Sequence, residues 1–211
     1  MDFLRPIEAV IPGAQGKLLA VFAETTADLS VRSAARLSAV SVAQTSRILP
    51  ELAALGILER ADVPPSTVYR LVEDNVASRT IRQLARSRDF VLAEFGELAK
   101  AMPSPPLSIV VFGSFARGDA GPDSDIDVVM VHRSGVETTS KWSDGVEQWR
   151  RAVRRLTGNE VEVMEVDERD IGSLLRSRRP VWQDIAREGI AVFGKTLGEL
   201  KVHKPKGQRV A

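Results

Sequence analysis

The chain reads as an α+β protein in two parts, and three observations predict it. The first 75 residues carry helical apolar spacing that gives way to two short strand-like runs. A cluster of prolines, Pro103, Pro105 and Pro106, then forms a barrier that no helix crosses. Beyond it a buried strand enters a glycine-serine turn, and a second strand opens on two aspartates one residue apart. With 211 residues and 44% hydrophobic content, the chain has enough apolar material for one large domain or two modest ones.

Composition narrows the chemistry. The absence of cysteine excludes disulfides, thiolate metal sites and cysteine nucleophiles, and two isolated histidines offer little for zinc. No apolar run reaches the length of a membrane span, and the first residues lack the layout of a secretory signal, so no membrane partner and a cytoplasmic location are expected. Residues 106–167 carry seven Lys/Arg against eleven Asp/Glu, which concentrates acidity around the aspartate pair. Residues 168–211 reverse the balance, with ten against five, and 197–211 reads as a basic, disordered tail.

In the first part, residues 14–25 read as a helix with Leu18, Leu19 and Phe22 on one side. A second helix is expected after Ser30, turning Ala34, Leu37 and Val40 inward. A third starts at Ser41, which with Gln44 has the form of a capping box, and its apolar stripe is Val42, Leu49, Leu52 and Leu55 before Gly56. Pro50 lies inside this helix and is expected to kink or break it. Residues 57–60 and 67–72 read as two strands. Three helices and a two-stranded ribbon resemble a winged helix-turn-helix domain over residues 1–75. The resemblance implies DNA contacts from Gln44, Thr45 and Arg47 on the third helix and from Arg60 and Arg70 on the wing. Seven Lys/Arg against nine Asp/Glu in this part are not a basic footprint, so a protein-contact or homodimer role stands beside DNA binding. Ile81, Leu84, Val91, Phe95 and Leu98 then predict one long connecting helix over 76–102.

In the second part, residues 107–112 read as a buried strand ending at Gly113 and Ser114. Glycine lets backbone approach a phosphate, and a hydroxyl with helix-start amides supplies donors for its oxygens. The following strand points Asp125 and Asp127 to one face and Ile126 and Val128 to the other. Paired carboxylates repel unless a cation joins them, and magnesium suits such a pair. Residues 138–157 predict an amphipathic helix with Trp142 and Trp149 in the core and Gly158 as its cap. Residues 160–166 alternate as a strand, a helix follows from Arg179 to Gly189, and residues 190–193 add a last short strand. His132 closes the second strand as a structural residue.

Gly113, Ser114, Arg117, Gly118, Ser124, Asp125, Ile126 and Asp127 resemble the signature of the DNA polymerase beta-like nucleotidyltransferase superfamily, especially its minimal bacterial branch. The resemblance covers about residues 107–194 and implies a domain over 103–196 with a mixed sheet flanked by helices. It further implies two Mg2+ ions, with Mn2+ able to substitute, and a nucleoside triphosphate, expected to be ATP, whose nucleotidyl group moves to a protein, RNA or small-molecule hydroxyl. In that scheme Asp125, Asp127 and Glu162 bind metal and catalyse, and Gly113, Ser114, Arg117 and Ser124 hold nucleotide. Glu162 stands where relatives more usually carry aspartate, with Glu160, near the strand start, and Glu165, on the opposite face, as the competing candidates. Arg117 has two readings, a phosphate ligand or a brace for the turn through Asp119 or Asp123. Minimal nucleotidyltransferases often act as antitoxins, which makes a toxin-like protein acceptor one expectation. The alternative is a DNA-binding regulator whose nucleotidyltransferase fold only binds nucleotide.

Overall fold

The computed structural model describes residues 1–203, and the remainder of the basic tail lies outside the described residues. The chain divides into two compact units, residues 5–87 and residues 1–4 together with 88 onward.

The 5–87 unit contains α1 (Pro6–Val10), α2 (Ala14–Glu24), β1 (Leu29–Ser30), α3 (Val31–Ser38), α4 (Val42–Ala54), β2 (Leu58–Val63), β3 (Ser66–Leu71) and α5 (Val76–Ala85). Its strands form an antiparallel sheet in the order β1-β3-β2, with β2 and β3 joined as a hairpin at Pro64 and Pro65. Leu18, Leu19 and Phe22 of α2 bury against Leu49 and Leu52 of α4 and Leu58, Tyr69 and Leu71 of the hairpin. Burying such a cluster supplies the main favourable term for a unit of this size.

Several local expectations are corrected here. Leu37 is 54% exposed, and Ala34 and Ala35 take the inner face of α3. The inner stripe of α4 is Thr45, Ile48, Leu49 and Leu52, whereas Val42 and Leu55 are exposed. Thr45 is therefore not a groove-facing residue: it is fully buried and its hydroxyl donates to the Ser41 carbonyl at 3.0 Å. That internal bond removes the cost of burying the hydroxyl and makes threonine behave as an apolar residue. Ser41 caps α4 by accepting from the Gln44 amide at 3.2 Å. Pro50 does not break the helix, which runs on to Ala54. The proline deprives only the Ser46 carbonyl of its partner, and both residues face solvent, where water serves instead.

The single helix expected over 76–102 is two helices, α5 and α6 (Ser87–Lys100), separated at Arg86. Arg86 leaves helical geometry at φ −98° and ψ 18°, while its amide bonds back to close α5. The break falls at the division between units, and apolar periodicity continued across it because each helix has its own core to face.

The other unit continues with β4 (Ser108–Phe112), α7 (Gly113–Arg117), β5 (Ile126–His132), α8 (Ser140–Thr157), β6 (Val161–Asp167), α9 (Ile171–Leu174), α10 (Pro180–Glu188), β7 (Ile190–Gly194) and α11 (Leu197–Lys201). The sheet order is β6-β5-β4-β7; β5 and β6 are parallel, and β4 is antiparallel to both its neighbours. One face of this mixed sheet packs Ile109, Val111, Ile126, Val128 and Met130 against Phe95 of α6 and Trp142, Trp149 and Val153 of α8. The other packs Val110, Val129, Val131 and Val166 against Ile171, Trp182, Ile185 and Leu200. Strands covered on both faces explain the near-continuous apolar runs of β4 and β5. The disordered tail expected from residue 197 is corrected by α11, whose Thr196–Glu199 capping box and buried Leu200 anchor it to this second layer.

Candidate active site

β4 ends at Phe112, and the chain turns at once into the short helix α7 through Gly113 at φ +69°. Glycine is required twice over. The left-handed conformation disfavours a side chain, and a Cβ here would collide with Oδ2 of Asp127. The turn carrying Ser114 is thus pressed against the strand carrying Asp127, which pairs in register with Phe112.

Asp125 immediately precedes β5 and Asp127 is its second residue, so both project from the face opposite α8. On the adjacent parallel strand Glu162 lies directly across from Asp127. Glu162 and Asp125 are exposed while Asp127 is partly buried. Burial first, then the charges of Asp125 and Glu162, hold the Asp127 carboxyl above the usual carboxylate range, with Arg117 acting in the opposite direction. An acid whose proton affinity is raised by burial and by two neighbouring carboxylates sits in a field that favours a cation.

The donors are oxygen alone, with neither sulfur nor imidazole among them, which fits a hard divalent ion such as magnesium. Among the described residues, the group of three whose ligand atoms all lie within 4.8 Å is instead His132, Glu137 and Asp167. The ligand atoms of Asp125, Asp127 and Glu162 do not all lie within that distance of one another, as suits carboxylates that repel. The tighter group is satisfied internally. Arg169 grips Asp167 with two donors at 2.9 and 2.8 Å, Ser134 donates to it at 2.8 Å, and Arg169 holds its carboxyl far below the usual range. His132 is buried at the edge of Trp142 with Nδ1 3.3 Å from Glu137. In-register pairing of His132 with Asp167 places this group at the opposite end of β5 and β6, ~16 Å along the strands from Asp127 and Glu162.

The remaining nucleotide-site candidates divide. Ser114 sits in the first turn of α7, where amides are free of helical partners. Ser124 has its hydroxyl engaged by the Gly121 amide at 3.0 Å, closing the loop before Asp125. Arg117 pairs with Asp119 at 3.2 Å, matching the brace reading, and also with Glu188 at 2.7 Å; Asp123 is not its partner. These bonds leave Nη2 of Arg117 uncommitted among the described residues.

Three contributors went unread in the sequence. Asn159 is buried and its amide donates to the Ser124 carbonyl at 2.9 Å, which holds the loop leading to Asp125. Glu188, only 14% exposed at the end of α10, anchors Arg117. Arg88 donates from Nε to the Phe115 carbonyl at 2.7 Å and from Nη2 to the Ala116 carbonyl, completing the C-terminal cap of α7. The Arg187, Glu188, Gly189 ending was the one local signal available.

In the 5–87 unit, Gln44 and Arg47 are exposed on α4. Arg60 is paired with Asp62 at 3.1 Å, and Arg70 with Glu59 at 2.8 Å and Asp28 at 3.9 Å. The acidic neighbours neutralise both hairpin arginines. No helix among the described residues is long and apolar enough to cross a membrane.

Residues 92–186 match the family model of the nucleotidyltransferase domain. No curated protein sequence matches the chain. Among solved structures, a toxin-antitoxin complex with AMP-PNP is similar at 18% identity over 50% of this chain and 77% of its own, with a TM-score of 0.35. A provisionally assigned nucleotidyltransferase from Sulfolobus solfataricus is similar at 24% identity over 50% and 82%, with a TM-score of 0.28. TrmBL2, an archaeal chromatin protein described with a novel mode of DNA binding, is similar at 13% identity over 88% and 78%, with a TM-score of 0.31. The family match takes in the Gly113–Ser114 turn and all three carboxylates, so residues 92–186 of the chain carry a nucleotidyltransferase domain.

Proposed function

We propose that the chain transfers a nucleotidyl group from a nucleoside triphosphate, ATP in the first instance, to an acceptor hydroxyl in a magnesium-dependent reaction. The observation that carries this reading is the in-register opposition of Asp127 and Glu162 beside Asp125, at the mouth of a turn that only glycine can make. Asp125 and Asp127 would hold two ions and Glu162 the second of them. Bound there, the ions would neutralise the triphosphate and lower the pKa of the attacking hydroxyl. Ser114 and the amides at the start of α7 would orient the outer phosphates, and the remaining nitrogen of Arg117 would donate to a phosphate oxygen while Asp119 and Glu188 hold the rest of the guanidinium. Glu162 would also accept the acceptor's proton. Catalysis would rest on positioning and charge neutralisation, since a transferring phosphoryl group needs little covalent help from the protein.

The 5–87 unit supports a winged helix-turn-helix reading through its order of helices followed by a hairpin. Gln44 and Arg47 are then its DNA-facing residues, with Arg60 and Arg70 on the wing. A regulator that binds nucleotide without transferring it is the competing function, favoured by the longer Glu162 in the third acidic position.

The deciding experiment incubates the protein with α-labelled nucleotide, magnesium and cell lysate, beside the double variant Asp125→Ala, Asp127→Ala. Label on a protein, an RNA end or a small molecule in the wild-type reaction alone identifies a transferase and its acceptor class. Nucleotide binding with no label transferred and no pyrophosphate released would establish the regulator instead.

A further inference from the structure

The chain begins in the catalytic unit, leaves it after Leu4 to build the 5–87 unit, and returns at Arg88. Both crossings are fastened to the same small element. On the outgoing side, Phe3 is buried and packs edge-on against Phe115 of α7 at 4.9 Å, and the Phe3 and Leu4 amides each donate to the Ala120 carbonyl at 3.1 Å. On the returning side, Arg88 caps α7 through the Phe115 and Ala116 carbonyls. Carbonyls at a helix end carry partial negative charge, and a guanidinium with two donors fixes both position and orientation there. The cradle that begins at Gly113 is thus held at its far end by the first residue after the insertion and by the last buried residue before it.

We propose that Phe3 and Arg88 are positioning residues for the nucleotide cradle and couple nucleotide occupancy to the state of the 5–87 unit. This rests on the reading of α7 as the triphosphate site. Coupling of this kind is reciprocal, so a ligand of the 5–87 unit that shifts either crossing changes nucleotide affinity by the same factor as nucleotide changes its own.

The test uses the full chain, a fluorescent ATP analogue with magnesium, and amide hydrogen exchange. Arg88→Met is expected to weaken nucleotide binding about tenfold, the size expected for losing charge-assisted bonds, and Arg88→Lys to recover part of it. In the wild type, saturating nucleotide should slow exchange of the Phe3 and Leu4 amides and alter exchange within 5–87, and the second response should be lost in Arg88→Met. Wild-type affinity in Arg88→Met, or a saturated wild type with unchanged exchange at Phe3, Leu4 and 5–87, overturns the coupling while leaving the nucleotide site intact. Failure of the wild type to bind nucleotide overturns both. The exchange measurement on the wild type needs no variant to fold.

Discussion

Asp127 of β5 stands directly across a parallel strand pair from Glu162 of β6, and the same carboxylate fills the space where Gly113 lacks a side chain. One partly buried acid therefore joins the acidic edge of the sheet to the glycine-serine turn. Its raised proton affinity has a sign that can be followed. An acid whose folded pKa exceeds its unfolded value binds its proton more tightly in the folded chain, so metal-free stability is fully present below the unfolded value and falls as pH rises through the folded one. Asp127→Asn should then raise the Tm of the metal-free protein at pH 8, abolish label transfer, and remove most of the Tm increase that magnesium gives the wild type. Thermal scans with and without magnesium read all three, and a lower metal-free Tm would contradict the repulsion.

Glu162 is the longer acid at the third position. Glu162→Gln should lower the rate of transfer by about 10²- to 10⁴-fold, the range for removing a general base, if Glu162 takes the proton as proposed. Glu162→Asp keeps the charge and should retain measurable transfer. Single-turnover assays at saturating nucleotide separate these outcomes from weakened binding.

Gly113→Ala combines two costs at one atom. The left-handed backbone disfavours alanine by about 1–2 kcal/mol, and the new methyl displaces Asp127. Urea unfolding should show a loss of that order, whereas transfer should fall to background. Activity within tenfold of wild type would mean that Asp127 can move without consequence.

The second acidic group supplies the control. Asp167 is held ionised by Arg169 and Ser134 far from the Asp127–Glu162 edge. Its depressed pKa contributes stability that is complete above the unfolded value and disappears as pH falls through the folded one, so the loss belongs to strongly acid solution. Asp167→Asn should destabilise the protein by about 1–3 kcal/mol at pH 7, with the difference from wild type shrinking below pH 4. Magnesium-dependent transfer should be unaffected.

What could be read in advance follows a physical division. Alternation along β5 placed Asp125 and Asp127 on one face because strand geometry is fixed within a few residues, whereas Glu162 was reached through the family resemblance and its register with Asp127 is set by the parallel pairing of β5 and β6. Thr45 misled because a hydroxyl bonded to Ser41 within its own helix buries as easily as valine. The break at Arg86 had no proline or glycine to mark it. Arg88, Asn159 and Glu188 act on residues 27, 35 and 71 positions away, and no local pattern encodes such a partner.

The arginines of the 5–87 unit divide in a way that bears on DNA. Arg60 and Arg70 already face Asp62, Glu59 and Asp28, so bringing a phosphate to the hairpin replaces existing partners and adds neighbouring negative charge. Arg47 is exposed on α4 with no salt-bridge partner among the described residues, and a phosphate or base edge would gain its full charge. If the unit binds DNA through α4, Arg47→Ala should weaken binding and reduce the salt slope by about 1, while Arg60→Ala and Arg70→Ala change both less. Titration of labelled duplex between 50 and 200 mM salt, about the range over which phosphate contacts are lost, gives the slope for each variant. Equal effects from all three would place the hairpin on the backbone as firmly as the helix. No effect from Arg47→Ala would remove α4 as the DNA-facing element and leave the unit to a protein or to a second copy of the chain.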